Sequence, residues 1–498
     1  MASAQSWNTC TAGDPKFWPS SIRYIILANI CIYVFLGTMF TAGLATGFES
    51  LAGDFHVPFS QLTDTVSYPV LALGVASILW MPTAICLGKR PVLLVSCAIF
   101  LVCNIWCIEA TSLNGLIAAR VIAAFGAGSI EAVGPAIIAD LFMEQYFASA
   151  MAIFSLSLSG GSQIGPMIAG YLVSSRGWRW FFILIAILLA INLVLMIFFL
   201  PETNFRRILF NAETAAEADK VAVEMVESNA DNNRQKLSTV QGEVQPDQAL
   251  YAGSYWKDLV QFKNRGVENT GIMAWLRQFS LPFRFILVPH AFFAAVSYGV
   301  FLGGIVVIST LNPSFFAPQP YLFTSAGLGL FSCATFLGIV IAYPVAGPLT
   351  DLLSRMFMKR NDYVHLPEHR MPALVVPFLI CPPGLLLYAY MIDQQGSYYA
   401  AAVGASMQLA AMVLVPSVVL SVVVDAYPRS GSEALVLINA GKNLVAFGMS
   451  VKSNSWLASE GVVKMFWEVV ALQWAVLTFG LPLYFAGPWL RKITLFLV

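Results

Sequence analysis

The chain has 498 residues, 58% hydrophobic and 11% charged, with a formal net charge of zero and a mean hydropathy of +0.74. A soluble domain carries about 25% charged residues, so this composition excludes a protein with a largely water-facing surface. The neutral balance points to no nucleic-acid or acidic partner, and the main solvent of the chain is expected to be lipid.

A bilayer-spanning helix needs about 20 mainly apolar residues. In chain order, such segments are predicted at 22–44, 65–87, 92–110, 113–139, 149–172 and 180–200. After a polar interval, six more follow at 285–310, 324–346, 371–391, 398–424, 434–455 and 466–488. The expected fold is an all-α membrane protein, with twelve transmembrane helices in two six-helix pseudo-symmetric bundles. Its predicted parts are a cytosolic tail 1–21, a bundle 22–200, a cytosolic linker 201–284, a bundle 285–488 and a cytosolic tail 489–498. Within the linker, the acidic, alanine-rich run from Asn211 to Asn233 is predicted as a short amphipathic helix. Residues 1–20 are polar and the first apolar run is long enough to span, so no cleaved secretory signal is expected.

Basic residues in short loops stay on the cytosolic side. Lys89, Arg90, Arg206, Arg207, Lys257, Arg355, Lys359, Arg360, Arg370, Arg491 and Lys492 fall in one set of intervals. The alternate intervals 45–64, 311–323 and 392–397 hold none, while Arg176 and Arg179 oppose the pattern. Both termini and the linker are therefore predicted to be cytosolic. The eight cysteines sit mostly in apolar segments without metal-ligand spacing and read as packing residues.

Ionisable groups in hydrocarbon are costly and usually face a cavity or a partner. Arg120 and Glu131 share the fourth span, eleven residues apart. That is almost three full turns, so both are predicted on one face, about 16 Å apart along the axis. The spacing suits two stations along one aqueous cavity. Arg120 can hold an anion or acidify a carboxyl group; its structural alternative is a guanidinium bound to carbonyls at a helix kink. A carboxyl group buried at low dielectric holds its proton more readily than one in water. Glu131 is thus expected to exchange protons that a cationic substrate displaces; its alternative is a hydrogen bond to a neighbouring helix.

Lys442 lies in the eleventh span between Asn439 and Asn443, and is expected either to serve the cavity or to snorkel toward the cytosolic interface. Asn443 is expected to bind substrate or to join two helices. Tyr298, Gln163 and Gln408 are further candidates for the cavity wall. Gly134-Pro135 and Gly165-Pro166 mark compliant points in the fourth and fifth spans.

Several motifs share a common resemblance. The fifth span carries Gly161-Ser-Gln-Ile-Gly165-Pro166-Met-Ile-Ala-Gly170. Trp80-Met-Pro82 leads into Gly88-Lys89-Arg90-Pro91, and Gly347-Pro-Leu-Thr-Asp351 stands at the matching loop of the second half. Arg120 with Gly126-Ala-Gly128, Trp178-Arg179-Trp180, Leu200-Pro201-Glu202-Thr203, Pro367-Glu368-His369-Arg370 and Asp425-Ala-Tyr427-Pro428 complete the set. Together these segments resemble the major facilitator superfamily, in particular its twelve-helix fungal drug:proton antiporter branch. The resemblance implies an antiporter element at Gly161, Gly165, Pro166 and Gly170. It also implies a cytosolic gate at Gly88, Lys89, Arg90, Asp140, Asp351 and Arg355. Two departures stand out: the first cytosolic loop lacks the family's aspartate, and the loop after Asp140 lacks its basic residue. Both predict a weaker latch on the inward face.

No phosphate-binding loop occurs, so direct ATP drive is not expected. The four histidines form no paired catalytic set, which counts against an enzyme, and neither cofactor nor metal is expected. The expected function is proton-coupled efflux of small hydrophobic or cationic compounds by alternating access. A proton-driven importer of a cationic nutrient such as a polyamine is the main alternative, and a non-transporting receptor of the same fold a remote one. Lipid, protons and a small-molecule substrate are the expected partners of a monomer. The plasma membrane is the expected location, with the vacuolar membrane as the alternative.

Overall fold

Segments that are apolar on every side cannot rest half in water, and in lipid each must satisfy its own backbone polar groups. They fold as helices for that reason. A computed structural model describes residues 15–204, 271–360, 367–427 and 430–494. The first six membrane helices are α1 (Ser20–Gly43), α2 (Asp64–Leu87), α3 (Lys89–Ile108), α4 (Leu113–Leu141), α5 (Glu144–Arg176) and α6 (Arg179–Phe199). The second six are α7 (Pro289–Phe316), α8 (Ser325–Arg360), α9 (Val375–Asp393), α10 (Tyr398–Ala426), α11 (Gly431–Val451) and α12 (Val462–Thr478). Among the described residues, eleven spans are long and apolar enough to cross a membrane by composition alone. The twelfth is α5, whose serines, glycines and Gln163 dilute its apolar character because part of it faces the cavity between the halves rather than lipid.

The helices end where the sequence gives them reason to. Gly88 (φ 106°) and Gly177 (φ 89°) hold the left-handed backbone between α2 and α3 and between α5 and α6. The Ser112 side chain caps α4 by accepting from the Gly115 N–H at 3.2 Å. Glu202 performs the same task for α3, accepting from the N–H groups of Lys89 at 3.1 Å and Arg90 at 3.2 Å. An acid at a helix N-terminus meets the positive end of the dipole, which gives the Pro201-Glu202-Thr203 segment a packing role.

One buried core runs from Trp18 to Leu200 and a second from Phe285 to Leu483. The two halves meet along α2 with α11 and along α5 with α8. For orientation, the linker face is the end where α6 finishes and α7 begins. At the far face, Ser67 and Ser450 share a hydroxyl hydrogen bond of 2.6 Å, and Asn454 Nδ2 donates to Thr63 Oγ1 at 2.5 Å. On the same side Gly170 lies directly against the Ser325 carbonyl of α8. Nearer the linker face, Met81, Ala132 and Val436 form a small apolar cluster that bridges the halves.

Some boundaries differ from expectation. The eighth helix runs to Arg360 rather than ending near 346, with Pro344 and Pro348 inside it. The last span divides at Phe479 into α12 and a further helix, Gly480–Thr494. Residues Ile272–Arg284, within the predicted cytosolic linker, form a helix of their own. Pro135 and Pro166 both lie inside unbroken helices. The run from Asn211 to Asn233 falls outside the described residues.

The Gly170 contact yields a direct test. A valine there would force its Cβ against the Ser325 carbonyl and to 3.2 Å from the Gly329 Cα. Gly170→Val is expected to pry α5 from α8 and lower stability by about 1–3 kcal/mol. Gly448, with nothing within 4 Å of an added Cβ, is the control, and Gly448→Ala is expected to stay within about 0.5 kcal/mol. Thermal unfolding in detergent measures both.

Candidate functional site

A cavity of about 150 Å³ lies between the two halves, near the middle of the spans. Its wall is mainly aliphatic, from residues such as Val70, Leu73, Leu302, Ile305 and Leu409. Polar groups enter it singly: Thr38, Ser162 and Gln163 from the first half, Ser309, Asn312 and Thr335 from the second. An apolar cavity with a few placed polar groups is the usual form of a small-molecule site.

Among the described residues, one ion pair on its lining joins the halves. Glu131 of α4 stands with its Oε2 3.1 Å from Lys442 Nζ of α11, and both side chains are buried. Lys442 Nζ also lies 4.8 Å from the centre of the Tyr298 ring on α7, within cation–π range. Asn439 Nδ2 donates to the Glu131 backbone carbonyl at 3.3 Å, a second tie between α4 and α11. Toward the linker face, Met81, Ala132 and Val436 lie beneath the pair. Pair and apolar cluster together close that side of the cavity. Lys442 therefore points to Glu131 and does not snorkel, because a buried carboxylate offers a closer partner than the interface. Asn443 lines the cavity, and its buried Nδ2 has no hydrogen-bond partner among the described residues. It is a donor available to a bound molecule.

Gln163 reaches across the other seam, accepting from Thr335 Oγ1 at 3.2 Å. Of the glycine-rich element, Pro166 lines the cavity, while Gly161 and Gly165 press against Thr38, Phe35 and Met39 of α1. Gly170 alone of the three glycines faces the opposite half.

Two candidates do not line the cavity. Arg120 is fully buried beside it and binds carbonyls: Nε donates to Thr65 O at 2.7 Å, and Nη2 to Phe40 O at 3.1 Å and Thr41 O at 3.0 Å. The face that meets the cavity at Glu131 passes beneath the ends of α1 and α2 at Arg120, so the expected pair of stations reduces to one. Gln408 sits in the core of the second half. There its Oε1 and that of Gln473 both accept from Cys381 Sγ at 2.6 Å, and Gln408 Nε2 donates to Phe301 O at 3.3 Å.

The expected gate residues hold α3 to its own half. Lys89 pairs with Asp140 and donates to Ala136 O at 3.1 Å, and Arg90 Nη2 donates to Ile197 O at 2.9 Å. Gly88 supplies the turn before them. Asp351 and Arg355 lie on α8, with side chains outside the described residues. Reading the sequence missed Asn312 and Thr335. Thr335 is a polar residue within a predicted span, a signal that would have found it; Asn312 falls in the interval 311–323, outside the predicted span, while α7 runs on to Phe316.

The chain's relatives bear on its fold and family. The xylose transporter XylE of E. coli, in a partially occluded inward-open conformation, superposes with a TM-score of 0.62 at 15% identity, over 92% of this chain and 97% of its own. At that identity the likeness speaks for the fold. Among curated sequences, a probable efflux pump of Aspergillus flavus is 23% identical over 84% of this chain and 91% of its own. The protein HOL1 of Saccharomyces cerevisiae is 21% identical over 97% and 89%. The sequence profile of the Major Facilitator Superfamily matches residues 30–449, across both halves and the cavity between them. With twelve helices in two bundles around a midspan cavity, this multi-pass membrane protein belongs to the major facilitator superfamily of transporters.

Proposed function

We propose that the protein exports small hydrophobic or weakly cationic compounds in exchange for protons, with Glu131 as the proton-exchanging group and Lys442 as its internal counter-ion. The observation that carries this reading is the buried Glu131–Lys442 pair across the α4–α11 contact. A proton arriving from the far face would neutralise Glu131 and remove the attraction that holds Lys442 there. Lys442 would keep the Tyr298 ring, and the halves would part at the linker face. Loss of the proton into the cytosol would restore the carboxylate, remake the tie and close that face around a newly bound molecule. Cargo thus moves outward with the deprotonated pair while the proton moves inward, which is antiport. The positive-inside pattern makes the linker face cytosolic.

The aliphatic wall favours an apolar cargo, with Asn443 and Ser309 as hydrogen-bonding groups. Lys442 already occupies the carboxylate that a polyamine would need, and its own charge repels a polycation. That arrangement favours export of apolar compounds over import of a cationic nutrient. The named efflux relative supports the same direction. The plasma membrane is the location that fits such a role.

Untargeted metabolite profiling of yeast cells and medium, with and without the protein, tests the reading. Compounds depleted inside and enriched outside are the expected result, with the effect lost on collapsing the proton gradient. Enrichment inside the cells would overturn export, and redistribution insensitive to the gradient would overturn proton coupling.

A further inference from the structure

The helix Ile272–Arg284 divides into three faces. Trp275, Gln278 and Pro282 form the most protected one; Trp275 Nε1 donates to Thr83 Oγ1 of α2 at 3.0 Å, and Pro282 is buried. The helix touches both α2 and α11, so it lies across the seam between the halves at the linker face. Directly above it in the spans are Met81, Val436 and, further in, the Glu131–Lys442 pair.

A second face carries Ile272, Leu276 and Phe283 at helical spacing, with exposures of 81%, 47% and 39%. Among the described residues, each of these side chains keeps more than a third of its surface uncovered. The following turn, Phe285–Leu287, leads straight into α7 and exposes Ile286 and Leu287 as well. The apolar face therefore sits at the level where a membrane span begins. The third face, about a third of a turn further round, presents Arg277 and Arg284, seven residues apart and both exposed. Apolar residues beside a basic stripe at the mouth of a span match the two layers of a leaflet, acyl chains below and headgroups above.

We propose that this helix is a strap bound to the linker-face leaflet. In it, Arg277 and Arg284 engage anionic phospholipid headgroups, Ile272, Leu276 and Phe283 rest on acyl chains, and the bound strap braces the α2–α11 seam through Trp275. The positive-inside pattern assigns this face to the cytosol, whose leaflet carries the anionic lipid. The proposal requires only that the chain sits in a bilayer, and it stands or falls apart from the proton cycle above.

The test is amide hydrogen exchange of the full-length protein in nanodiscs of phosphatidylcholine alone or of phosphatidylcholine with phosphatidylserine. Amides of residues 272–284 are expected to exchange more slowly with phosphatidylserine, by roughly fivefold for each engaged arginine. High salt and the Arg277→Gln/Arg284→Gln double variant are expected to erase the difference. Equal exchange in the two lipids overturns the headgroup contact. Trp275→Phe is expected to speed exchange at residues 80–87 and 431–437, and Thr83→Val, which removes the same bond from the other side, guards against a folding artefact. If both variants leave those amides unchanged, the bracing role is wrong.

Discussion

Glu131→Gln is expected to abolish gradient-driven transport, because a glutamine holds the site permanently in its neutral form and cannot cycle. The same change removes the counter-ion of a buried lysine. Breaking a buried pair from one side costs about 3–5 kcal/mol, most of it from the charge left behind. Lys442→Met leaves Glu131 as the unpaired partner and is expected to lower stability by a similar order. The double variant Glu131→Gln/Lys442→Met leaves no charge and is expected to recover most of that loss, since a matched neutral pair is close to neutral in stability. Transport should not recover with it. Thermal unfolding in detergent, together with proton flux in proteoliposomes, separates the two effects. A double variant that unfolds like the wild type yet stays inactive would place the function in the charge pair itself. Gradient-driven transport by Glu131→Gln would remove Glu131 from the proton path.

The twelve spans were legible because length and hydropathy are local properties of the chain. The weakest of them by hydropathy, α5, was marked instead by its glycines and Pro166, which record close helix contact. What lies between helices was less legible. Glu131 and Lys442 each read as an isolated charge, and their union depends on which faces of α4 and α11 meet across the halves. Gln408 reads like a cavity residue because it is polar within a span, but it bonds to Cys381 and the Phe301 carbonyl in the buried core of the second half. Lys89 and Arg90 carry the basic part of the loop motif while binding groups of their own half. Sequence placed the candidate residues on helices; packing decided which of them share a space.

Arg120→Ala is expected to be the most damaging single change outside the cavity, and the reason lies in what its guanidinium does. Phe40 and Thr41 belong to the final turn of α1, where the α-helix passes at Leu44 into a 3-10 turn. Arg120 caps that turn with two hydrogen bonds from Nη2, at 3.1 and 3.0 Å, and reaches Thr65 of α2 with Nε at 2.7 Å. Its central carbon also lies 4.6 Å from the centre of the Phe40 ring. One planar cation therefore fixes three helices. Alanine would leave those carbonyls unpaired by a side chain and open a void in a fully buried place, a loss on the order of 3–5 kcal/mol. Arg120→Lys keeps the charge but not the fork, and is expected to recover only part of it. The measurement is the thermal midpoint and yield of monodisperse protein, compared with proton-driven transport by whatever folds. A clamp predicts that stability and transport fall together and that lysine rescues both in part. Normal unfolding of Arg120→Ala with transport lost would instead return Arg120 to the role of an anion or proton station, and the carbonyl bonds would then mark only one conformation of its cycle.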